Sequence, residues 1–165
     1  MIHFLFHDFK RQFSHFFDSC ENGFTNEVII SLYARNLPPN IQLTRPGHKQ
    51  EVLYFLREGF VSLSSPKSFT PFLVLPTSSV VGDYQILFDL NSTISVKVYV
   101  PPEFMAHQFA GGTKQETSKP SKEKTKSPSD VQGQFMCIDA DAFLDLCDLY
   151  PQTADDLKMR ALERR

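Results

Sequence analysis

In VVGDYQILFDLNSTISVKVYV, residues 80–100, Gly82-Asp83 precedes an apolar run and Asn91-Ser92-Thr93 interrupts it. A glycine beside a carboxylate, followed by small amide and hydroxyl side chains, suits a loop that holds a polar ligand. Glycine admits close backbone approach to whatever such a loop holds. The same residues also suit a plain turn entering a strand. Other candidates for chemistry are weaker. His3 and His7 lie one helical turn apart beside Asp8, with His15 farther on. A metal needs further ligands at fixed spacing, so these read as the polar flank of an amphipathic helix. Asp139, Asp141, Asp145 and Asp148 read as a helix cap plus a solvated face. No G-x-S-x-G or Walker-type loop occurs, which argues against an enzyme.

The chain has 165 residues, enough for one domain with an appendage and a sizeable core. Its net charge of −2 provides no general field for nucleic acid or an anionic membrane. Cys20, Cys137 and Cys147 have neither metal-ligand nor redox-motif spacing, so a reducing cytosolic setting is expected. No apolar run reaches the roughly 18 residues of a membrane span. The start, MIHFLFHDFKRQFSHFF, is too interrupted by charge for a signal peptide.

The elements that must position the loop follow from periodicity. Ile2, Leu5, Phe6, Phe9, Phe13, Phe16 and Phe17 form one apolar helical stripe, ended at Asn22-Gly23. Thr25 or Asn26 then caps a second helix, with Val28 and Leu32 facing a core, that runs to Pro38-Pro39. From Asn40 to Val100 short strands alternate with turns: Ile41 and Leu43, Val52 to Leu56, Val61 to Leu63, Phe72 to Leu75, and Ile94 to Val100. This spacing predicts an antiparallel roll or sandwich. AGGTKQETSKPSKEKTKSPSDVQG is nearly free of large apolar side chains, which predicts a disordered insertion over about 103–133. Its lysines are a solvated charge run, and Ser127-Pro128 is a phosphorylation motif of low specificity. Phe135 to Ile138 is a last strand. Asp139 or Asp141 caps the next helix, and Pro151 opens a final one. The fold class is therefore α+β: a jelly-roll-like antiparallel β-roll between N-terminal helices and two C-terminal helices. Residues 1–23 form a linker-like helix and 24–165 the roll domain.

Taken in order, these residues resemble the cyclic-nucleotide-binding domain family. Its members include catabolite-activator-type regulators, kinase regulatory subunits, and the C-terminal domains of cyclic-nucleotide-gated, hyperpolarisation-activated and ether-à-go-go-type channels. Pro46-Gly47, Leu53-Tyr54-Phe55-Leu56 and Gly59 with Val61 look like the early roll of that family. Val81-Gly82-Asp83-Tyr84-Gln85-Ile86-Leu87 looks like the "FGE-x-x-L" opening of its phosphate-binding cassette, and Thr93-Ile94-Ser95-Val96 like the closing "T-A-S-V". Asp141-Ala142-Phe143, Tyr150-Pro151 and Arg160-Ala161-Leu162-Glu163-Arg164-Arg165 look like the last helices, especially of channel members.

The resemblance implies a site made of Val81, Gly82, Asp83, Tyr84, Ser92, Thr93 and Arg164, with cAMP or cGMP as ligand and no required cofactor or metal. Amides and Asp83 take the positions that meet phosphate and ribose, Thr93 keeps a hydroxyl, and Arg164 belongs to a lid over the base. The cassette arginine is replaced by Ser92. Losing one charge-assisted hydrogen bond costs about 1.5–3 kcal/mol, about ten- to a hundredfold in affinity. The implied parent is a homotetrameric cation channel, potassium-selective or cation-selective, with this domain on the cytoplasmic face and attached to the membrane only through that parent. The chain ends where further turns of the lid helix are expected, as in a fragment of a longer protein. A functional cyclic-nucleotide sensor and a non-channel signalling or cytoskeletal scaffold are the alternatives.

Overall fold

Strand β3 (Val52–Glu58) carries Leu53 and Phe55 on one face and Tyr54 and Leu56 on the other, and all four are buried. A strand apolar on both faces belongs inside a sheet covered on both sides. The structure, a computed structural model, describes residues 2–68, 70–103 and 133–164, and β3 occupies that interior position. The other strands are β1 (Tyr33–Leu37), β2 (Gln42–Thr44), β4 (Phe60–Ser64), β5 (Leu73–Leu75), β6 (Val80–Val81), β7 (Ser95–Tyr99) and β8 (Gly133–Asp139). They form two four-stranded antiparallel sheets, in order β1-β8-β3-β6 and β2-β7-β4-β5. Leu43, Tyr54, Leu56, Val61, Val96, Val98 and Phe135 fill the space between them.

Helices cover the outer face of the first sheet. At the N-terminal end these are α1 (Ile2–Gln12), α2 (Ser14–Phe17) and α3 (Asn22–Ser31); α4 (Asp83–Leu87) lies within the roll, and α5 (Ala140–Leu149) and α6 (Pro151–Glu163) follow β8. Phe55 is the centre of this second core. The rings of Phe9, Phe13, Phe16 and Phe17 lie 5.4, 5.2, 5.2 and 5.9 Å from it. Phe143 of α5 and Leu157 of α6 belong to the same cluster, so the N-terminal helices share a core with the roll. No helix among the described residues is long and apolar enough to cross a membrane.

The roll between flanking helices is as the sequence predicts, with local corrections. The single stripe over residues 2–17 is two helices, broken at Phe13, which lets four phenylalanines converge on one ring. Asn22-Gly23 starts a helix instead of ending one, because Gly23 lies under Tyr150: a Cβ there would come within 2.6 Å of the Tyr150 hydroxyl oxygen. The N-cap is Glu21, not Thr25 or Asn26; the Thr25 hydroxyl donates back to the Glu21 carbonyl. The predicted helix to Pro38-Pro39 stops at Ser31, and Tyr33–Leu37 is strand β1. It pairs along its whole length with β8, from Tyr33 opposite Cys137 to Leu37 opposite Gly133. Satisfying the ladder of β8 outweighs the local helical pattern. Asp139 is the N-cap residue of α5 but makes no capping bond, since its carboxylate accepts from the Tyr33 hydroxyl at 2.7 Å. The predicted insertion lies outside the described residues save at its edges.

Phe55→Ala leaves four aromatic rings without their common neighbour. It is expected to lower unfolding free energy by about 3–5 kcal/mol. Urea denaturation checks this, with Phe72→Ala at an exposed site as a control that stays near the parent value.

Candidate functional site

Strand β6 is short but well placed: Val81 pairs with Tyr54 and Val80 with Phe55. The chain then turns at Gly82, whose φ of 101° is left-handed and favours glycine. A Cβ at this position would meet the Gln50 Cγ at 2.8 Å, and Gln50 is held by bonds from its amide to the carbonyls of Leu43 and Val52. The turn releases α4, which is anchored by buried Ile86 and Leu87. Asp83 is its first residue, where a carboxylate favours the positive end of the helix. Its side chain is only 9% exposed.

Helix α6 packs against α4, with Ala161 lining the cleft beside the loop and Ala154 and Leu157 buried in the cluster that holds Ile86 and Leu87. Just past its last turn, an Arg164 Nη donates to the inner carboxylate oxygen of Asp83, forming an ion pair across a separation of 81 residues. The Arg164 side chain remains 49% exposed, so the acid is the buried partner and the base the solvated one. Together they border a cleft of about 290 Å³ between the two sheets, whose walls include Leu63, Leu75 and Val96. That volume is at the small end for ligand sites.

Five of the expected site residues, Val81, Gly82, Asp83, Tyr84 and Arg164, meet in this cleft. Ser92 and Thr93 lie outside its lining. Ser92 is buried, its hydroxyl donating to the Ile94 carbonyl at 2.8 Å, and its backbone joins the Pro46-Gly47 turn through bonds with Gly47 and His48. Thr93 is exposed, and Lys97 lies on β7. Thr44, Leu63 and Leu75 are cleft residues that motif reading passed over, and Ile94 and Val96 were quoted in a motif but not assigned to the site. Strand alternation marks them as inward-facing, but which inward residues meet depends on how the sheets close. The Thr44 hydroxyl is already committed, donating to the Ile94 carbonyl and accepting from the Val96 amide.

The chemistry available is therefore narrow. Among the described residues lining the cleft, Arg164 is the sole cation, and it neutralises Asp83. No group of three metal-ligating side chains occurs among the described residues. Two thiols are unreactive by burial, which raises Cys137 to about 12 and Cys147 to about 11.

No protein-family model matches the sequence, and no curated protein does. Among solved structures, the chain is similar to the C-linker/CNBHD of zELK channels, crystallised in the presence of cAMP. The TM-score is 0.61 at 13% identity, covering 90% of this chain and 60% of that one. The fold is cyclic-nucleotide-binding-like. The chain spans 60% of the length of that neighbour.

The ion pair predicts an asymmetry. Arg164→Gln strands a buried carboxylate and is expected to cost about 1–3 kcal/mol. Asp83→Asn frees a half-exposed guanidinium to water and is expected to cost under about 1 kcal/mol. Denaturant midpoints of the two variants and the double variant test the order.

A second expectation concerns pH. Partial burial lowers the His15 imidazole below its ordinary 6.5; Arg164 and Arg160 lower it further, while Asp18 and Asp83 oppose. The unfolded chain then binds more protons than the folded one just below that value, so stability rises with pH through the window and levels off above it. His15→Gln is expected to flatten this slope in urea midpoints taken between about pH 5.5 and about pH 7.5.

Proposed function

We propose that this chain is a regulatory domain of the cyclic-nucleotide-binding-homology type, from the cytosolic face of a tetrameric cation channel, potassium-selective or cation-selective. Its pocket is held shut by its own terminal helix. The observation that carries this reading is the Arg164–Asp83 pair, in a cassette whose arginine position is Ser92. A cyclic phosphate entering the cleft would find no uncommitted cation among the described residues lining it. To engage a ribose hydroxyl, Asp83 would first have to release Arg164.

The mechanism follows from what else α6 holds. One turn before Arg164, Arg160 donates to the backbone carbonyls of His15 and Phe16, at 3.0 Å each. One helix therefore contacts both the cassette and the N-terminal helices. In a channel subunit, opening the cassette displaces α6 and carries that motion to the helices leading toward the pore. The coupling can be no larger than the difference in binding free energy between the open and closed states. The partners are the other subunits, and the membrane is met only through the parent protein. No nucleic acid and no catalytic step enter this reading.

Isothermal calorimetry with cAMP and cGMP decides between a self-occupied pocket and a working sensor. The expected result is no saturable heat at micromolar nucleotide. Micromolar binding that disappears in Asp83→Ala would instead establish the sensor, with the α4 amides, Asp83 and Arg164 as its contacts.

A further inference from the structure

A second cleft, of about 380 Å³, opens between β1, β2, β3 and the turn joining β2 to β3, and the cassette contributes nothing to it. Its lining is unusually basic for a chain of net charge −2: Arg35, Arg45, His48 and Lys49, against one carboxylate, Glu51. Lys49 is engaged at the rim, 2.6 Å from the Asp89 carboxylate. Arg35 and Arg45 form no ion pair with any described residue.

Both arginines are carried by well-defined backbone. Arg35 lies opposite Phe135 in the β1–β8 ladder, and Phe135 lies opposite Leu56 in the β8–β3 ladder. Arg35 therefore shares the inner face of the sheet with Leu56 and Tyr54. Its guanidinium acts on the Tyr54 phenol, partly offsetting the upward shift that burial imposes there. Arg45 opens the turn through Pro46-Gly47. That turn is closed by bonds from the His48 amide to the Arg45 carbonyl, from the Gly47 amide to the Ser92 carbonyl, and from the Ser92 amide to the His48 carbonyl. Buried Gln50, with its amide bonded to two backbone carbonyls, is a fixed part of the wall.

We propose that this cleft is a binding site for a phosphoryl dianion, a phosphomonoester or pyrophosphate group, gripped by Arg35 and Arg45 with the Tyr54 hydroxyl and the His48 ring as further polar contacts. Arg35 and Arg45 both line the cleft and are solvent-exposed, so each guanidinium is accessible to an anion, and Glu51 is the one carboxylate in that lining. The planar fork of arginine also matches the oxygens of a phosphoryl group. The volume falls within the range of about 300–1,000 Å³ that holds small ligands. The site is separate from the cassette, so it stands whether or not cyclic nucleotide binds there.

The test uses the intact chain and inorganic pyrophosphate at about 50 mM salt, where exposed charges are only partly screened. Arginine side-chain Nε–Hε signals are followed by NMR. Saturable shifts are expected at Arg35 and Arg45 but not at Arg57, with affinity falling about tenfold or more in Arg45→Gln and further in Arg35→Gln/Arg45→Gln. A parallel arm sediments the chain with phosphatidylcholine vesicles containing phosphatidic acid. Arginine-dependent sedimentation without pyrophosphate binding assigns the dianion to a lipid headgroup, and pyrophosphate binding without sedimentation assigns it to a soluble ligand. The proposal is overturned if neither probe binds, if Arg57 shifts as much as Arg35 and Arg45, or if binding survives in the double variant with its thermal unfolding unchanged.

Discussion

A sheet that is apolar on both faces must be covered twice, and the rest of this molecule answers that requirement. Tyr54, Leu56 and Phe135 are covered by the second sheet, which closes the roll. Leu53, Phe55 and Ile138 are covered by helices drawn from both ends of the sequence. Fully burying one such side chain contributes about 1.5–3 kcal/mol, so a cluster of them outweighs the modest preferences of individual segments. The helices meet over Phe55 because that is where the uncovered apolar surface lies.

This meeting gives α6 two loads. Arg160 and Arg164 lie one turn apart, on one side of the helix. Arg160 reaches the carbonyls of His15 and Phe16, a partial substitute for the hydrogen bonds that a helix end leaves unmade. Its Nε is buried without a partner among the described residues, an uncompensated polar atom at this junction. Arg164 instead closes over the Gly82–α4 turn and satisfies Asp83. The hydrophobic requirement brings the ends of the chain together, and the two guanidiniums then link them through defined polar contacts.

Much of the roll was legible locally. A continuous apolar run marked β3, alternation marked β4 and β7, Pro and Gly marked the turns, and Pro151 marked the start of α6. The stretch Tyr33–Leu37 was not legible as a strand. Its sequence, YARNL, has one buried residue at its end and no alternating face, and its extended state comes from pairing with β8. Asn22-Gly23 misled for a related reason. Glycine there reads as a breaker, whereas its missing side chain makes room for Tyr150. At the cassette, Gly82 and Asp83 were readable because glycine tolerates positive φ and a carboxylate suits a helix start. Ser92 stood out only through a resemblance that expects an arginine there; that its hydroxyl is bonded to the Ile94 backbone was not readable.

By itself, then, the sequence determined the turn chemistry and the apolar faces, and the residue types at the Gly82-Asp83 turn. These follow from backbone sterics and side-chain periodicity, which act over a few residues. Only the tertiary structure decided which charges meet. Arg164 and Asp83 are 81 residues apart, and nothing in their local surroundings selects one for the other. They pair because α6 must cover the apolar surface beside α4, and a buried carboxylate there lowers its free energy most by accepting from the guanidinium that this packing delivers.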